Sequence, residues 1–457
     1  MYRFALHSTR VLTPQGLQEA TIVVNGKKIE SLKVGRQKSE VVTVEDLGNN
    51  VIMPGLIDSH VHINEPGRTD WEGFNTATRA AAAGGITTLV DMPLNSSPVT
   101  TDVMSLQLKV DAAEKSLHVN CGFYGGVIPT NLSDLPGLLE AGVMGIKAFL
   151  THSGIDDFPN VTEEHLRKAL PLLKKSGVTL LVHAELDEPH PDQKFIEENP
   201  TSYSAYLRSR PKSWEDKAIN MLIRLCEEYQ TRIHIVHLSS ANSIAPIKAA
   251  IKKGLPISVE TCPHYLVFHA EEIKDKQTQF KCAPPIREKQ NNEQLWKAVR
   301  DKVISFIVTD HSPSLPEMKE LKSGSFKKAW GGIAGLQFSL PAFWTHARQH
   351  GFTIEGVAML MSSNVAKFLD LEKTKGKLGA GYDADLVVWN PEKEFVVTRD
   401  IIQHKHKLTP YEGLKLSGVV ERTYVNGSLI FKNGDFHALH KGVVIRRKNW
   451  KNGISNP

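Results

Sequence analysis

The sequence predicts an α/β protein: a (β/α)₈ barrel with a small composite β-sandwich built from both chain ends. Three observations point there. Between about residues 51 and 377, short apolar runs ending in polar residues alternate with longer helical stretches, the pattern of parallel strands with crossover helices. Eight such runs can be counted, the number that closes a barrel. Both chain ends carry β-type runs punctuated by Asn-Gly turns instead.

The elements follow in order. The first unit, residues 1–50, contains Thr21-Ile22-Val23-Val24 before Asn25-Gly26, a strong hairpin signal. The barrel, residues 51–377, has strand candidates at 51–58, 86–91, 120–128, 145–149, 178–183, 233–237, 257–260 and 304–309, with helical stretches such as 214–229 between them. The last unit, 378–457, returns to β character at 384–389, 419–420 and 423–425, before a second turn at Asn426-Gly427. No repeat of 20 to 50 residues and no low-complexity segment interrupts this plan.

Composition excludes several classes. A chain of 457 residues with 41% hydrophobic and 23% charged residues is that of a folded, soluble protein. Its net charge of +5 is spread along the chain, without the basic block of a nucleic-acid surface. No apolar run reaches the roughly 18 residues of a membrane helix, and the N-terminus lacks the apolar core of a secretory signal. Residues 1–10 combine arginines and hydroxyls without acids, as a mitochondrial leader does, but the strand-like 20–30 favours ordered structure there. Cys121, Cys226, Cys262 and Cys282 form no CxxC pair, so neither a disulfide framework nor a thiolate zinc site is expected, and a reducing compartment is.

The chemistry gathers at the ends of the strand candidates. In Asp58-Ser59-His60-Val61-His62 the two histidines are two apart, and in an extended segment such residues project to one side. His60 and His62 can therefore grip one ion. His183 and His237 end apolar runs in the same way, and Asp310 ends the run 303–309. In a barrel the carboxyl ends of the strands converge on one mouth, where residues distant in sequence meet. Lys147, in Gly145-Ile146-Lys147-Ala148-Phe149-Leu150, is an ammonium in an apolar strand, and a buried unpaired charge is expensive. Two roles remain open at this point. A depressed pKa would let the neutral amine take up carbon dioxide as a carbamate, a bidentate anionic ligand; otherwise the lysine reaches to the rim or binds a substrate anion.

The chain resembles the cyclic amidohydrolases, which include dihydroorotases, dihydropyrimidinases (hydantoinases) and allantoinases. The resemblance rests on residues 54–62, Lys147, His183-Ala184-Glu185, His237-Leu238-Ser239, 260–266 and 309–313. It implies a barrel of the metal-dependent hydrolase type and two divalent cations bridged by N6-carboxylated Lys147. One cation would take His60, His62 and Asp310, and the other His183 and His237. Zinc is the first choice of metal, with manganese, cobalt, nickel and iron also suited to the donors. The pair would supply water activated near neutral pH, with Asp310 moving its proton to the departing ring nitrogen.

Within the family, 63–68, 71–74, 92–96 and 330–337 are most similar to allantoinases. Dihydroorotases place arginine where Asn64 stands, and an amide suits an uncharged ureido group better than a carboxylate. Dihydropyrimidinases carry a tyrosine shortly after the bridging lysine, where this chain reads Ala148-Phe149-Leu150-Thr151-His152. The expected substrate contacts are Asn64, Asn95, Pro284 and Ser312, with Glu185, His264 and His311 as orienting neighbours. The expected reaction opens allantoin to allantoate in purine degradation. Dihydropyrimidine or hydantoin opening, dihydroorotate opening, and a scaffold without turnover are the rival readings. The family also implies a homotetramer without nucleic-acid or membrane partners. The cytosol is the first expectation for compartment and the mitochondrion the second; the peroxisome stays open, although Ile454-Ser455-Asn456-Pro457 is not its C-terminal signal.

Overall fold

The computed structural model describes residues 3–37, 43–438 and 440–447. The C-terminal tripeptide and the first two residues of the leader-like stretch lie outside the described residues. The chain begins with β1 (Arg3–Thr13), β2 (Gly16–Asn25), β3 (Lys28–Val34), β4 (Val44–Asp46) and β5 (Val51–Pro54). The β2–β3 turn is Gly26-Lys27, one residue past the expected Asn25-Gly26: Asn25 still pairs with Lys28, and Gly26 takes φ +59°. A parallel series follows: β6 (Leu56–Val61), β7 (Ile86–Asp91), β8 (Asn120–Phe123), β9 (Gly125–Gly126), β10 (Ile146–Phe149), β11 (Leu180–His183), β12 (Ile233–Ile235), β13 (Ile257–Thr261) and β14 (Phe306–Ile307). Last come β15 (Leu386–Val396), β16 (Lys415–Val425), β17 (Ser428–Lys432) and β18 (Asp435–Phe436).

The two chain ends share one nine-stranded sheet, ordered β18-β17-β16-β15-β5-β1-β2-β3 with β4 beside β1. They meet where β15 pairs antiparallel with β5, Leu386 opposite Pro54. The run 51–58, expected as one strand, is split: β5 joins this sheet and β6 the parallel series. The chain changes sheets at Gly55, where a Cβ would fall 2.3 Å from the Thr87 side chain. Similarly, the strands expected at 419–420 and 423–425 are one strand, β16, ending in the Asn426-Gly427 turn with both φ angles positive.

The parallel strands form two sheets, β6-β7-β8 and β14-β13-β12-β11-β10-β9. Tyr124, between β8 and β9, donates its N–H to Asp91 at 3.0 Å, and His62 donates its own to the His311 carbonyl at 2.8 Å. Strand residues alternate between two apolar clusters: Leu180 and Val182 pack towards the helices, whereas Leu181 packs inside with Phe149, Val236 and Phe306. Strands covered on both faces read as continuous apolar runs, which is why these segments were visible in the sequence. Lys147 opposes Leu181 in register, so the same alternation turns it inward. Asp385 ties the terminal sheet to the parallel series. Its carboxylate accepts from Lys375 Nζ, from Asn120 Nδ2 at 3.2 Å and from the Asn426 N–H at 2.7 Å. Among the described residues no helix is long and apolar enough to cross a membrane.

Candidate metal centre

At the carboxyl ends of the parallel strands lies a cavity of about 210 Å³ lined by His60, His62, Asn95, Lys147, His183, His237, Asp310 and Ser312 among others. They arrive on or just after β6 (His60 and His62), β7 (Asn95), β10 (Lys147), β11 (His183), β12 (His237) and β14 (Asp310 and Ser312), so parallel topology brings segments distant in sequence together. His60, His237 and Asp310 each present a ligand atom within 4.8 Å of the other two. The Asp310 Oδ1 is 3.2 Å from His60 Nε2 and 3.3 Å from His62 Nε2. His237 and Asp310 hold φ values of +41° and +47°, a left-handed region that non-glycine residues rarely occupy and that clusters at functional sites.

Hydrogen bonds prepare the rings as ligands. His62 donates from Nδ1 to the Leu94 carbonyl at 3.0 Å, leaving Nε2 with its lone pair. His183 donates from Nε2 to Glu185 at 2.8 Å, leaving Nδ1. Glu185 is itself held by Arg210 at 2.5 Å. Burial, then the nearby His183 and Lys147, hold His237 well below the usual histidine range, and a neutral ring is what a metal needs. His60 behaves oppositely: burial lowers its pKa, but Asp310 and Glu260 outweigh this and raise it to about 9. A cation binding there would displace that proton.

Lys147 is the anomaly of the site. Its Nζ is buried with no hydrogen-bond partner and stands 4.8 Å from the centre of the Phe149 ring. Burial is the main reason its pKa falls from 10.5 to about 7, so near neutrality much of it is free amine. The imidazole and carboxylate donors, with this orphaned amine in the same cavity, fit divalent cations.

Two expected substrate residues stand elsewhere. Asn64 and Pro284 are not among the cavity-lining residues. The Asn64 side chain donates to the Pro313 carbonyl at 3.2 Å, and the Pro284 carbonyl accepts from Tyr265 Oη at 2.7 Å. Each is thus tied to a neighbouring segment by one side-chain-to-backbone bond, while the Asn64 Oδ1 is buried without a partner. Of the expected orienting residues, Glu185 does bond a candidate ligand, whereas His264 Nε2 is buried without a partner and His311 Nε2 lies 3.6 Å from Glu72. Lys281, Cys282 and Ala283, from the 281–287 segment expected at the mouth, line it, and so does Arg210, which was not foreseen. Arg210 stands in no recognisable local pattern; besides lining the mouth it holds Glu185, 25 residues earlier. Close approach closes one wall: a Cβ on Gly332 would fall 2.3 Å from the Ser312 carbonyl oxygen.

Residues 51–430 match the Amidohydrolase family. The chain belongs to that family. As an amidohydrolase it is 46% identical to the allantoinase of Streptomyces avermitilis over 97% of this chain and 98% of that one. It is also 46% identical to the allantoinase of Arabidopsis thaliana, over 94% of this chain and 88% of that one. Among solved structures it resembles the L-hydantoinase (dihydropyrimidinase) of Arthrobacter aurescens, with a TM-score of 0.93 and 27% identity, covering 98% of this chain and 100% of the other. Family membership makes it a hydrolase acting on cyclic amides, with divalent metal binding.

Proposed function

We infer that this amidohydrolase opens the hydantoin ring of allantoin to allantoate. The observation that carries the reading is one cavity holding His60, His62, His183, His237, Asp310 and the unpartnered Lys147, in a chain whose near full-length relatives are allantoinases. His60, His62 and Asp310 would hold one cation, and His183 and His237 a second. Lys147 would bridge the two as its N6-carboxylate, which accounts for a free amine in an otherwise costly position. Zinc is the metal of choice. The cations, when bound, polarise the ring carbonyl and make water nucleophilic at neutral pH.

The chain's own residues supply the rest. Asp310, a carboxylate in the cavity, takes the proton of the attacking water and delivers it to the leaving ring nitrogen. Asn95 and Ser312 face the cavity and would hydrogen-bond the ring and the ureido group. Asn64 would act one step back, by holding the loop at Pro313, and Pro284 through the wall that begins at Lys281. The two parallel sheets read as one (β/α)₈ barrel over 51–377. In this reading, units 1–50 and 378–457 form a composite β-sandwich. A cytosolic homotetramer remains the reading for assembly and compartment.

Hydantoin or dihydropyrimidine opening is the second reading, favoured by the fold likeness to the Arthrobacter enzyme. The test is purified protein with added zinc, assayed on allantoin, hydantoin, dihydrouracil and dihydroorotate. Allantoin should exceed each of the others in kcat/KM by at least about 100-fold, the discrimination that a site built on substrate hydrogen bonds readily supplies. A preference for any of the other three would overturn the substrate. Absence of both turnover and bound metal would favour the scaffold reading.

A further inference from the structure

We infer that Glu260 is a positioning residue that keeps the proton of His60 on Nδ1, and that His234 and Ser258 hold Glu260 to this task. The inference rests on reading His60 as a metal ligand. Ser258 and Glu260 lie two apart on β13 and so face the same side, and His234 on β12 stands opposite Ser258 in register. From this placement a continuous line of hydrogen bonds runs through the interior. His60 Nδ1 is 2.5 Å from Glu260 Oε1. The other oxygen, Oε2, is 3.0 Å from His234 Nε2, and His234 Nδ1 is 2.7 Å from Ser258 Oγ.

Donor and acceptor accounting fixes each proton. A carboxylate only accepts, so both rings must donate to Glu260. Once a cation displaces the Nε2 proton, His60 keeps its remaining proton on Nδ1 and turns the Nε2 lone pair to the side of Asp310. His234 carries its proton on Nε2, and its bare Nδ1 accepts the Ser258 hydroxyl. The inner part of the line is dry, with His60 1% exposed and Glu260 and His234 0%, and Ser258 at its end is half-buried. The His234 ring packs on Phe306, 5.0 Å between centres and 11° from parallel, and on Phe368 at 4.4 Å. Glu260 does not line the cavity, so it reaches the site only through His60.

Zinc uptake, and zinc loss to a chelator, measured on the whole chain test this. Glu260→Met keeps the length and removes both acceptors; zinc affinity should fall about 10–100-fold, the usual effect of losing such a partner. Glu260→Gln should stay within about threefold of wild type. Its amide oxygen accepts from His60 and its amide N–H donates to His234, whose other tautomer then donates to Ser258. Ser258→Ala should therefore weaken zinc binding more when combined with Glu260→Gln than in wild type, a coupling that packing alone would not produce. Glu260→Gln as weak as Glu260→Met would show that charge rather than hydrogen bonding matters and would overturn the inference, as would additive Ser258 and Glu260 effects. Should Glu260→Met fail to fold, the comparison of Glu260→Gln with and without Ser258→Ala still decides. A wild-type chain that takes up no zinc would remove the metal reading and this inference with it. Zinc-binding wild type with an equally tight Glu260→Met would overturn this inference alone.

Discussion

Lys147→Met should make the metal-free protein more stable and inactive at once. In the metal-free protein the ammonium is buried without a partner, and burial depresses its pKa from 10.5 to about 7. Below pH 7 the lysine is protonated in both folded and unfolded chains, and its burial destabilises the fold by about 5 kcal/mol, at about 1.4 kcal/mol per pH unit of depression. Between pH 7 and 10.5 only the unfolded chain holds the proton. Stability therefore rises with pH, and at pH 8 roughly 3 kcal/mol of the penalty remains. Methionine fills the same volume without the charge. Chelator-treated wild type and variant, unfolded in urea at pH 6, 8 and 9.5, should differ most at pH 6 and progressively less above. Loaded with zinc, Lys147→Met should show no ring opening, and neither should Lys147→Ala. The smaller alanine leaves room for a short carboxylate, so millimolar acetate or propionate should restore part of the activity to Lys147→Ala and none to Lys147→Met. Full activity in either untreated variant would refute the bridging role. A metal-free Lys147→Met no more stable than wild type at pH 6 would refute the burial argument.

Three further outcomes can be measured. Asp310→Asn should lower kcat by about 10²–10⁴-fold, the usual contribution of a positioned acid–base group; near-normal turnover would remove Asp310 as the proton carrier. His404 is fully buried with neither ring nitrogen hydrogen-bonded, and burial, aided by His311, lowers its pKa to about 3. Its neutral form is lost to the unfolded chain as pH falls from about 6.5 towards 3, a decline of about 1.4 kcal/mol per pH unit in that window. His404→Phe should flatten this part of the acid-unfolding curve. Asp385→Ala leaves Lys375 buried with only Asp383, at 3.1 Å, for company, and should destabilise the fold by about 3–5 kcal/mol. Thermal melting would show the loss, and an unchanged midpoint would mean that the terminal sheet is anchored elsewhere.

The amino-acid sequence by itself determined the parallel strand series, the Asn426-Gly427 turn and, to within one residue, the β2–β3 turn, and the strand-end residues His60, His62, Lys147, His183, His237 and Asp310. These were legible because their signals are local. A strand buried on both faces must be apolar along its length, so a histidine or lysine inside or at the end of one stands out. Period-two alternation also tells which neighbours share its side.

Only the tertiary structure decided the rest. It split the run 51–58 between two sheets, because Gly55 must fit against Thr87 and donate its N–H to the Asp385 carbonyl. It left Asn64 and Pro284 out of the cavity lining and brought Arg210 into it. It set the ring protons through contacts such as His62 with Leu94, 32 residues away, and His60 with Glu260, 200 residues away. Buried polar groups must find partners wherever the fold places them, and no local pattern records a pairing made across the core.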